Sequence, residues 1–360
     1  MSFTVTRLIH NALNQRLSLE EAVFLYENAG LTTLGSAAHA KRLALHSKPI
    51  VTYIIDRNIN YTNICVSGCK FCAYYAAANA ETEGNVKQKP FLLSREELAQ
   101  KISETIALQG RQILLQGGLH PDLPLEYYED MLSFIKMEFP EIHCHAFSPP
   151  EIIHFAKLSG LDIKTVLQRL IAAGLDSIPG GGAEILVNRV RERIAPRKAT
   201  AEEWLDVMEI AHNLGLKTTA TMMFGHIETI EERIEHLMRI RELQDRTGGF
   251  TAFIPWPFQP QNTALSVQPA TADEYLRTLA ISRLFLDNIP NIQASWVTQG
   301  PKMAQISLFF GANDFGSTMI EENVVAAAGV SHRLSEEEIR RLISNAGFEP
   351  RRRRMNYTLL

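Results

Sequence analysis

The sequence predicts an α/β protein whose main domain is a (βα)8, TIM-like barrel, with an amino-terminal helical cap and a carboxy-terminal extension. Short β-rich runs alternate with amphipathic segments of helical length from residue 50 to residue 316. Such alternation indicates parallel strands joined by crossover helices. Eight strand positions can be counted, and ~250 residues is typical of a barrel that size. The competing open sheet would need a Gly-x-Gly-x-x-Gly turn after its first strand, where a cysteine-rich loop stands instead.

The predicted strands are rich in β-branched and aromatic residues and are bounded by turn residues. They cover residues 51–55 with 58–62, 112–116, 142–146, 175–178, 217–222, 250–254, 291–295 and 313–315. Capping boxes, in which a Ser or Thr precedes a Glu by three residues, mark the starts of several helices between them. These boxes are Ser94/Glu97, Thr200/Glu203, Thr229/Glu232 and Thr271/Glu274.

Both ends of the chain are predicted to add helices to the barrel. Residues 1–48, with a capping box at Ser18/Glu21, form the cap, and residues 49–318 form the barrel. Residues 319–360 form the extension, which carries a box at Ser335/Glu338 and then the run Arg351–Arg354. Four arginines could bind phosphate or an acidic partner, but we favour a solvated charge run.

The composition is that of an ordinary globular enzyme. Hydrophobic residues make up 46% and charged residues 21% of the chain, and the formal net charge of −4 predicts no general attraction to nucleic acid. No apolar run approaches membrane-spanning length, and the amino terminus lacks the pattern of a signal peptide. Three of the four cysteines are clustered, which argues against a disulfide framework. We therefore expect a cytoplasmic protein without a membrane partner.

Alternation along the strands predicts a polar barrel interior. On the third strand His143 and His145 share one face, while Cys144 points the other way and is interpreted as a small buried hydrophobe. The same test places further polar residues inside: Asn58, Asn60, Thr62, Gln112 and Gln116. A polar interior is costly for a scaffold and reasonable for a binding site.

Candidate site residues lie after the strands, because ligands of such barrels bind at the carboxyl ends of strands. Five strand ends carry unusual glycine, proline and polar runs: residues 116–121, 148–151, 179–184, 224–228 and 255–260. From these runs we predict that Gln116, Gly117, Gly118, Ser148 and Glu151 bind a cofactor. His145, Glu184 and His226 are candidate catalytic residues, for which a structural hydrogen bond is an equally good interpretation.

Cys65, Cys69 and Cys72 form a Cys-x3-Cys-x2-Cys loop directly after the first strand. Three close thiolates can hold an iron–sulfur cluster, and a missing fourth cysteine would leave one iron open to an outside ligand. Structural zinc is the main alternative, but it prefers four ligands in separated pairs, and no second pair exists. The loop favours a [4Fe–4S] cluster with an open iron.

This loop, with an aromatic residue before its last cysteine, resembles that of the radical S-adenosylmethionine (SAM) superfamily. The resemblance implies that SAM chelates the open iron and is cleaved to a 5′-deoxyadenosyl radical. It also implies that Phe71 lies near the adenine and that Gly117-Gly118 meets the methionine amino group.

A narrower resemblance, to the dehypoxanthine futalosine cyclases of menaquinone biosynthesis, covers nearly the whole chain. The segments that carry it are residues 56–63, 116–121, 148–151, 177–184, 221–226 and 253–259. It implies hydrogen abstraction from the ribose C4′ of dehypoxanthine futalosine, attack of the carbon radical on the aromatic ring, and loss of an electron and a proton. It further implies a low-potential electron donor such as flavodoxin or ferredoxin.

Two kinds of alternative stay open at this point. Aminofutalosine synthase and deazaflavin synthase share the cysteine loop and the Gly-Gly-Leu-His run, and a non-enzymatic iron–sulfur or zinc-binding protein belongs to another class. The sequence does not rank His145, Glu184 and His226 as the base that removes the ring proton. It is also silent on the oligomeric state and on the role of Arg351–Arg354.

Overall fold

The computed structural model describes residues 3–77 and 88–360. Its helices are α1 (Val5–Asn14), α2 (Leu19–Asn28), α3 (Leu31–Leu45), α4 (Arg95–Ala107), α5 (Leu125–Glu138), α6 (Pro149–Ser159), α7 (Ile163–Ala173), α8 (Asn188–Ile194), α9 (Ala201–Asn213), α10 (Ile230–Thr247), α11 (Ala272–Phe285), α12 (Trp296–Ser307), α13 (Val324–Ala327) and α14 (Glu336–Asn345). Its strands are β1 (Ile50–Ile54), β2 (Asp56–Asn60), β3 (Gln112–Gln116), β4 (His143–Ala146), β5 (Ser177–Ile178), β6 (Lys217–Phe224), β7 (Phe250–Pro257), β8 (Asn291–Ile292), β9 (Asp314–Ser317) and β10 (Glu349–Arg352).

The strands close into a parallel barrel. Strands β2 to β8 pair in chain order in one sheet, and a second sheet has the order β10-β1-β9. Strand β9, which pairs with β1, also joins the other sheet, because the Ala294 N–H donates to the Asp314 carbonyl and the Asn313 N–H donates to the Ile292 carbonyl. Only Ile55 separates β1 from β2, so together they occupy one position in the ring. The predicted eight-position barrel is confirmed.

At the eight barrel positions the predicted strands differ from the observed ones only at their ends, whereas β10, in the extension predicted to be helical, was not predicted as a strand. Strands β6 and β7 continue to Phe224 and Pro257, whereas the seventh position is ordered as a strand only over Asn291–Ile292. Neighbouring parallel strands extend one another wherever their backbones stay in register, and β6 and β7 remain paired to their last residues.

Five of the predicted capping boxes form with both reciprocal hydrogen bonds, at Ser18, Ser94, Thr200, Thr229 and Ser335. The sixth predicted box, Thr271/Glu274, forms only one of its two hydrogen bonds. The Thr271 hydroxyl accepts a bond from the Glu274 N–H, but the Glu274 carboxylate turns away to pair with the buried Arg233. A charge-assisted bond to a buried guanidinium is stronger than a bond to an exposed backbone N–H.

The amino-terminal helices cover the α10–α11 side of the barrel. Helix α3 packs along α11, and α2 packs on α10 and α11. Leu25, Leu34 and Ala38 are fully buried there. At about 25 cal/mol per Å2 of apolar area removed from water, such contacts stabilise the cap on the barrel. No helix within the described residues is long and apolar enough to cross a membrane.

The carboxy-terminal extension reaches the floor of the barrel. Strand β10 pairs in parallel with β1, on the edge that β9 leaves free. The next residue, Arg353, is buried: its guanidinium binds the Asp314 carboxylate and lies 4.0 Å from the centre of the Tyr357 ring. The interpretation of Arg351–Arg354 as a solvated run is therefore wrong for Arg353, because pairing with β1 carries this side chain inward.

Candidate active site

The cysteine loop follows β2 at the carboxyl end of the barrel. Its backbone is tied to neighbouring segments, since the Cys65 N–H donates to the Ala76 carbonyl and the Lys70 N–H donates to the Ile194 carbonyl. Ser67 lies between two of the thiols: its N–H is 3.4 Å from the Cys65 sulfur and its hydroxyl is 3.1 Å from the Cys69 sulfur. All three cysteines are free thiols.

Gly117 and Gly118 hold the end of β3 against this loop. A Cβ on Gly118 would lie 2.2 Å from the Ile64 carbonyl oxygen and 3.0 Å from the Cys65 Cβ. A Cβ on Gly117 would lie 2.4 Å from the Tyr61 ring. The two glycines therefore permit close approach between protein segments at the place where the sequence suggested close approach to a ligand.

Glu151 joins the ends of three elements. One carboxylate oxygen accepts hydrogen bonds from the Tyr61 hydroxyl (2.7 Å) and the Gly117 N–H (3.0 Å). The other accepts from the N–H and the hydroxyl of Ser148 at the start of α6. Burial raises the pKa of Glu151, whereas these hydrogen bonds lower it. Both oxygens of Glu151 thus serve the arrangement of the strand ends.

The buried Glu184 forms an ion pair with the partly buried Lys198 next to the cysteine loop. The ammonium of Lys198 lies 2.9 Å from the Glu184 carboxylate and 5.2 Å from the centre of the Phe71 ring. Arg191 adds a second cation, 3.5 Å from the same carboxylate. Glu184 adopts a φ of 40°, a backbone conformation that non-glycine residues rarely adopt and that costs of order 1–3 kcal/mol. The surrounding ion pairs hold this carboxylate at the barrel mouth.

A cavity of about 310 Å3 occupies the barrel interior. Its polar lining includes most of the side chains that alternation placed inside: Asn58, Gln112, Gln116 and His145. Glu184 lines the same cavity and so connects it with the cysteine loop. A pocket of this size is within the range of small-molecule sites.

His145 enters this cavity as a neutral side chain. It is buried, and its Nδ1 lies 2.7 Å from the Ser177 hydroxyl oxygen. Burial lowers the pKa of His145 well below its usual range, and the nearby His143 and Arg353 lower it further. A neutral imidazole at neutral pH can accept a proton.

His226 does not line the cavity. Its side chain is fully buried in the turn after β6, its Nε2 lies 3.0 Å from the Met223 carbonyl, and its Nδ1 lies 2.9 Å from the Glu228 carboxylate. Both ring nitrogens are therefore engaged within the turn and not directed into the cavity.

Some residues of this site were not among the sequence candidates: Tyr61, Ser177, Lys198 and Arg353. Ser177 opposes His145 in the register of β4 and β5, which a correct strand pairing would have revealed. No local signal marks Lys198, because its partner Glu184 is distant in sequence and comes close only in the folded chain.

Two family models match the chain. The model described as the radical SAM superfamily matches residues 59–240, and the model described as the CofH/MqnC C-terminal region matches residues 247–360. Among solved structures, methylornithine synthase superposes with a TM-score of 0.72 at 18% identity, over 95% of this chain and 97% of that one. The barrel and its three-cysteine loop thus define a radical SAM enzyme.

Curated relatives narrow the family. A cyclic dehypoxanthine futalosine synthase of Halalkalibacterium halodurans is 47% identical over 99% of this chain and 95% of that protein. A 5-amino-6-(D-ribitylamino)uracil–L-tyrosine 4-hydroxyphenyl transferase of Methanosarcina mazei is 40% identical over 97% of this chain and 92% of that protein. The chain belongs to the radical SAM superfamily and, within it, to the family of the cyclic dehypoxanthine futalosine synthases.

The superfamily generally uses a [4Fe–4S] cluster and SAM. Within residues 3–77 and 88–360, no three His, Cys, Asp or Glu side chains are grouped to hold a single metal ion. The fit to a cluster rests on donor chemistry instead: three free thiols on one anchored loop are the soft ligands that iron–sulfur clusters take. Burial raises the pKa of Cys69 to about 11, so binding of iron would have to displace its proton.

Proposed function

We propose that this chain converts dehypoxanthine futalosine to cyclic dehypoxanthinyl futalosine, a step of menaquinone biosynthesis. The observation that carries the proposal is the 47% identity to a cyclic dehypoxanthine futalosine synthase over 99% of this chain. The polar cavity at the carboxyl ends of the strands, next to the cysteine loop, is the structural observation that supports the proposal.

In this proposal Cys65, Cys69 and Cys72 hold the [4Fe–4S] cluster. Bound cluster and SAM supply the 5′-deoxyadenosyl radical that takes a hydrogen atom from the substrate ribose. Phe71 and Gly117-Gly118 contact SAM, while Glu151 keeps Gly117 and the start of α6 in place through its hydrogen bonds.

The substrate would lie in the barrel cavity among neutral amides. Asn58 Oδ1 and Gln112 Oε1 are buried atoms of the described chain that lack a hydrogen-bond partner. An unpaired buried acceptor costs about 1–3 kcal/mol, and donation from sugar hydroxyls would remove that cost. Both residues line the cavity.

Among the three candidate bases, His145 has the best support. Glu184 is held by two cations, so accepting a proton would break its ion pairs. His226 is engaged through both ring nitrogens outside the cavity. His145 is neutral, lines the cavity and is bonded to Ser177 through Nδ1, which leaves Nε2 to accept the ring proton.

Anaerobic reconstitution of Cys69→Ala and Cys144→Ala tests the assignment of the cluster. Cys144 is buried behind β4, so its variant should retain iron and SAM cleavage, whereas Cys69→Ala should lose both. Full iron content and full turnover in Cys69→Ala would exclude this cluster site. Iron bound without any SAM cleavage by the wild-type protein would favour the non-enzymatic alternative.

The substrate is tested by offering dehypoxanthine futalosine beside the substrates of aminofutalosine synthase and of the 4-hydroxyphenyl transferase. Intramolecular ring closure and addition to a second molecule give products of different mass. We expect the cyclised product from dehypoxanthine futalosine alone. A product from either of the other reactions in its place would overturn the proposal.

A further inference from the structure

A chain of three side chains leads from the barrel cavity to the opposite end of the barrel. His145 Nδ1 and His143 Nε2 each lie 2.7 Å from the hydroxyl oxygen of Ser177. The arrangement follows from strand geometry: the two histidines are two residues apart on one face of β4, and Ser177 opposes His145 on β5. Ser177 is buried, with 1% of its surface exposed.

The two histidines line different cavities. His145 lines the interior cavity, whereas His143 lines a cavity of about 680 Å3 at the amino-terminal end of the barrel. The second cavity has exposed residues on its wall, including Arg111, Glu141 and Arg354, so it is open to solvent. A thin floor of side chains separates the two cavities. The side chains that line both cavities are Ile54, Gln112, Arg353 and Met355.

The charges around the chain favour a proton at its outer end. Burial lowers the pKa of His143, and the facing Asp176 carboxylate offsets part of that lowering, while Lys136 adds to it. Burial lowers the pKa of His145 well below its usual range, and His143 and Arg353 lower it further. Asp176 itself is fixed by Lys136, at 2.6 Å, and by the Cys144 N–H.

We propose that His145, Ser177 and His143 form a proton relay that carries the proton released from the substrate to the solvent at the amino-terminal end of the barrel. The inference rests on the proposed function, because that reaction releases a ring proton inside a closed barrel. Ser177 is suited to the middle position, since one hydroxyl can accept one hydrogen bond and donate another.

The relay transfers protons only, and the number of protons that enter equals the number that leave. His145 Nε2 accepts the proton from the substrate carbon, and the Nδ1 proton of His145 passes to the Ser177 oxygen. The Ser177 hydroxyl proton passes to His143 Nε2, and His143 releases a proton from Nδ1 to water in the outer cavity. One proton enters and one leaves, and rotation of the hydroxyl with exchange of the tautomers restores the starting state.

Ser177→Ala and Ser177→Thr in the reconstituted holoenzyme test the relay. The measured quantity is the cyclised product formed per 5′-deoxyadenosine. Ser177→Ala should keep forming 5′-deoxyadenosine but lose about 100-fold in cyclised product, the lower end of the range for general acid–base catalysis. Ser177→Thr retains the hydroxyl and should restore the wild-type ratio. His143→Gln, which keeps a hydrogen bond to Ser177 but cannot carry a proton, should behave like Ser177→Ala.

A spectroscopic measurement makes the test independent of turnover. In holoenzyme labelled with 15N-histidine, the resonances of His143 and His145 should respond together to pH, and Ser177→Ala should uncouple them. His46→Gln is the matched control, because His46 is also a partly buried histidine with Nε2 on a carbonyl, that of Pro290, outside both cavities. It should leave the product ratio and the coupling unchanged.

Three outcomes would overturn the relay: an unchanged product ratio in Ser177→Ala, an equal loss in Ser177→Ala and Ser177→Thr, or independent titration of the two histidines in the wild type. An equal loss in both serine variants would indicate a packing role for the residue. Absence of cyclised product from the wild-type enzyme would instead refute the proposed function, and the 15N titration would still decide whether the relay exists.

Discussion

At the scale of single residues, close packing between protein segments requires a glycine at position 118. Gly118 donates its N–H to the Thr62 carbonyl at 2.9 Å, which brings its Cα beside Ile64 and Cys65. The Ile64 atom that a side chain would meet is a backbone oxygen, which cannot move without moving the loop. The geometry of the thiols therefore depends on a residue that carries no side chain.

Gly118→Ala should displace the cysteine loop. Overpacking of this kind costs about 1–3 kcal/mol, and the strain falls on the segment that would bind iron. We expect lower iron content per chain after reconstitution, measured by chemical iron analysis. Gly30→Ala is the control, because its Cβ would meet only the Thr33 hydroxyl oxygen at 3.6 Å, an ordinary contact. Equal iron in the two variants would contradict this account of Gly118.

At the scale of elements, the last strand connects the extension to the barrel. Strand β10 pairs with β1, the next residue in the chain binds Asp314 on β9, and Arg352 binds Glu336 on α14. The Arg353 N–H also donates to the Tyr53 carbonyl. These contacts make the extension part of the barrel floor.

Arg353→Ala should destabilise the protein by about 3–5 kcal/mol, because it leaves the buried Asp314 carboxylate without its cation. Arg351→Ala, two residues earlier, removes an exposed arginine whose partner is the exposed Glu349, and should cost at most about 1 kcal/mol. Urea unfolding of the two variants beside wild type measures both changes. Similar midpoints for the two variants would show that the floor does not depend on the Arg353 pair.

At the scale of the whole molecule, folding keeps several histidines uncharged. Burial and the nearby Arg191 lower the pKa of His236 to about 3, and burial and Lys217 lower that of His212 to about 4. The unfolded chain would bind protons at these positions below pH ~6.5. Their contribution to stability is therefore complete above that pH and is lost as the pH falls towards the folded-state values.

The free energy of unfolding should fall by about 1.4 kcal/mol per pH unit for each such histidine below pH ~6.5. His236→Asn keeps an acceptor for the Leu186 N–H, which His236 Nδ1 accepts at 3.0 Å, and should reduce that slope. His10→Asn changes an exposed histidine and should not. Unfolding measured between pH 7 and pH 5 for both variants gives the slopes. An unchanged slope in His236→Asn would contradict the assignment.

Local patterns were sufficient for most of the fold. The strands were predictable because hydrophobic alternation and turn residues act over a few positions, and five capping boxes formed because their partners are three residues apart. The box at Thr271 lacks the bond from the Glu274 side chain, because that carboxylate pairs with Arg233 on another helix, which a local pattern does not reveal. The inward direction of His145 was also predictable, since alternation along one strand decides it.

The candidate site was less predictable than the fold. The sequence placed Glu151, Glu184 and His226 at strand ends, but it did not show that internal partners occupy all three side chains. Their partners come from other strand ends, from other helices or from the turn itself. Only the closed barrel brings these groups within hydrogen-bonding distance.

The sequence by itself determined the barrel, its polar interior and the loop of three cysteines, because these depend on spacing within short segments. Tertiary structure alone decided that Arg353 is buried and that Ser177 lies between His143 and His145. The physical reason is that burial and hydrogen bonding across strands depend on which strands are neighbours and in what register. Residues far apart in the chain meet only when the ring closes.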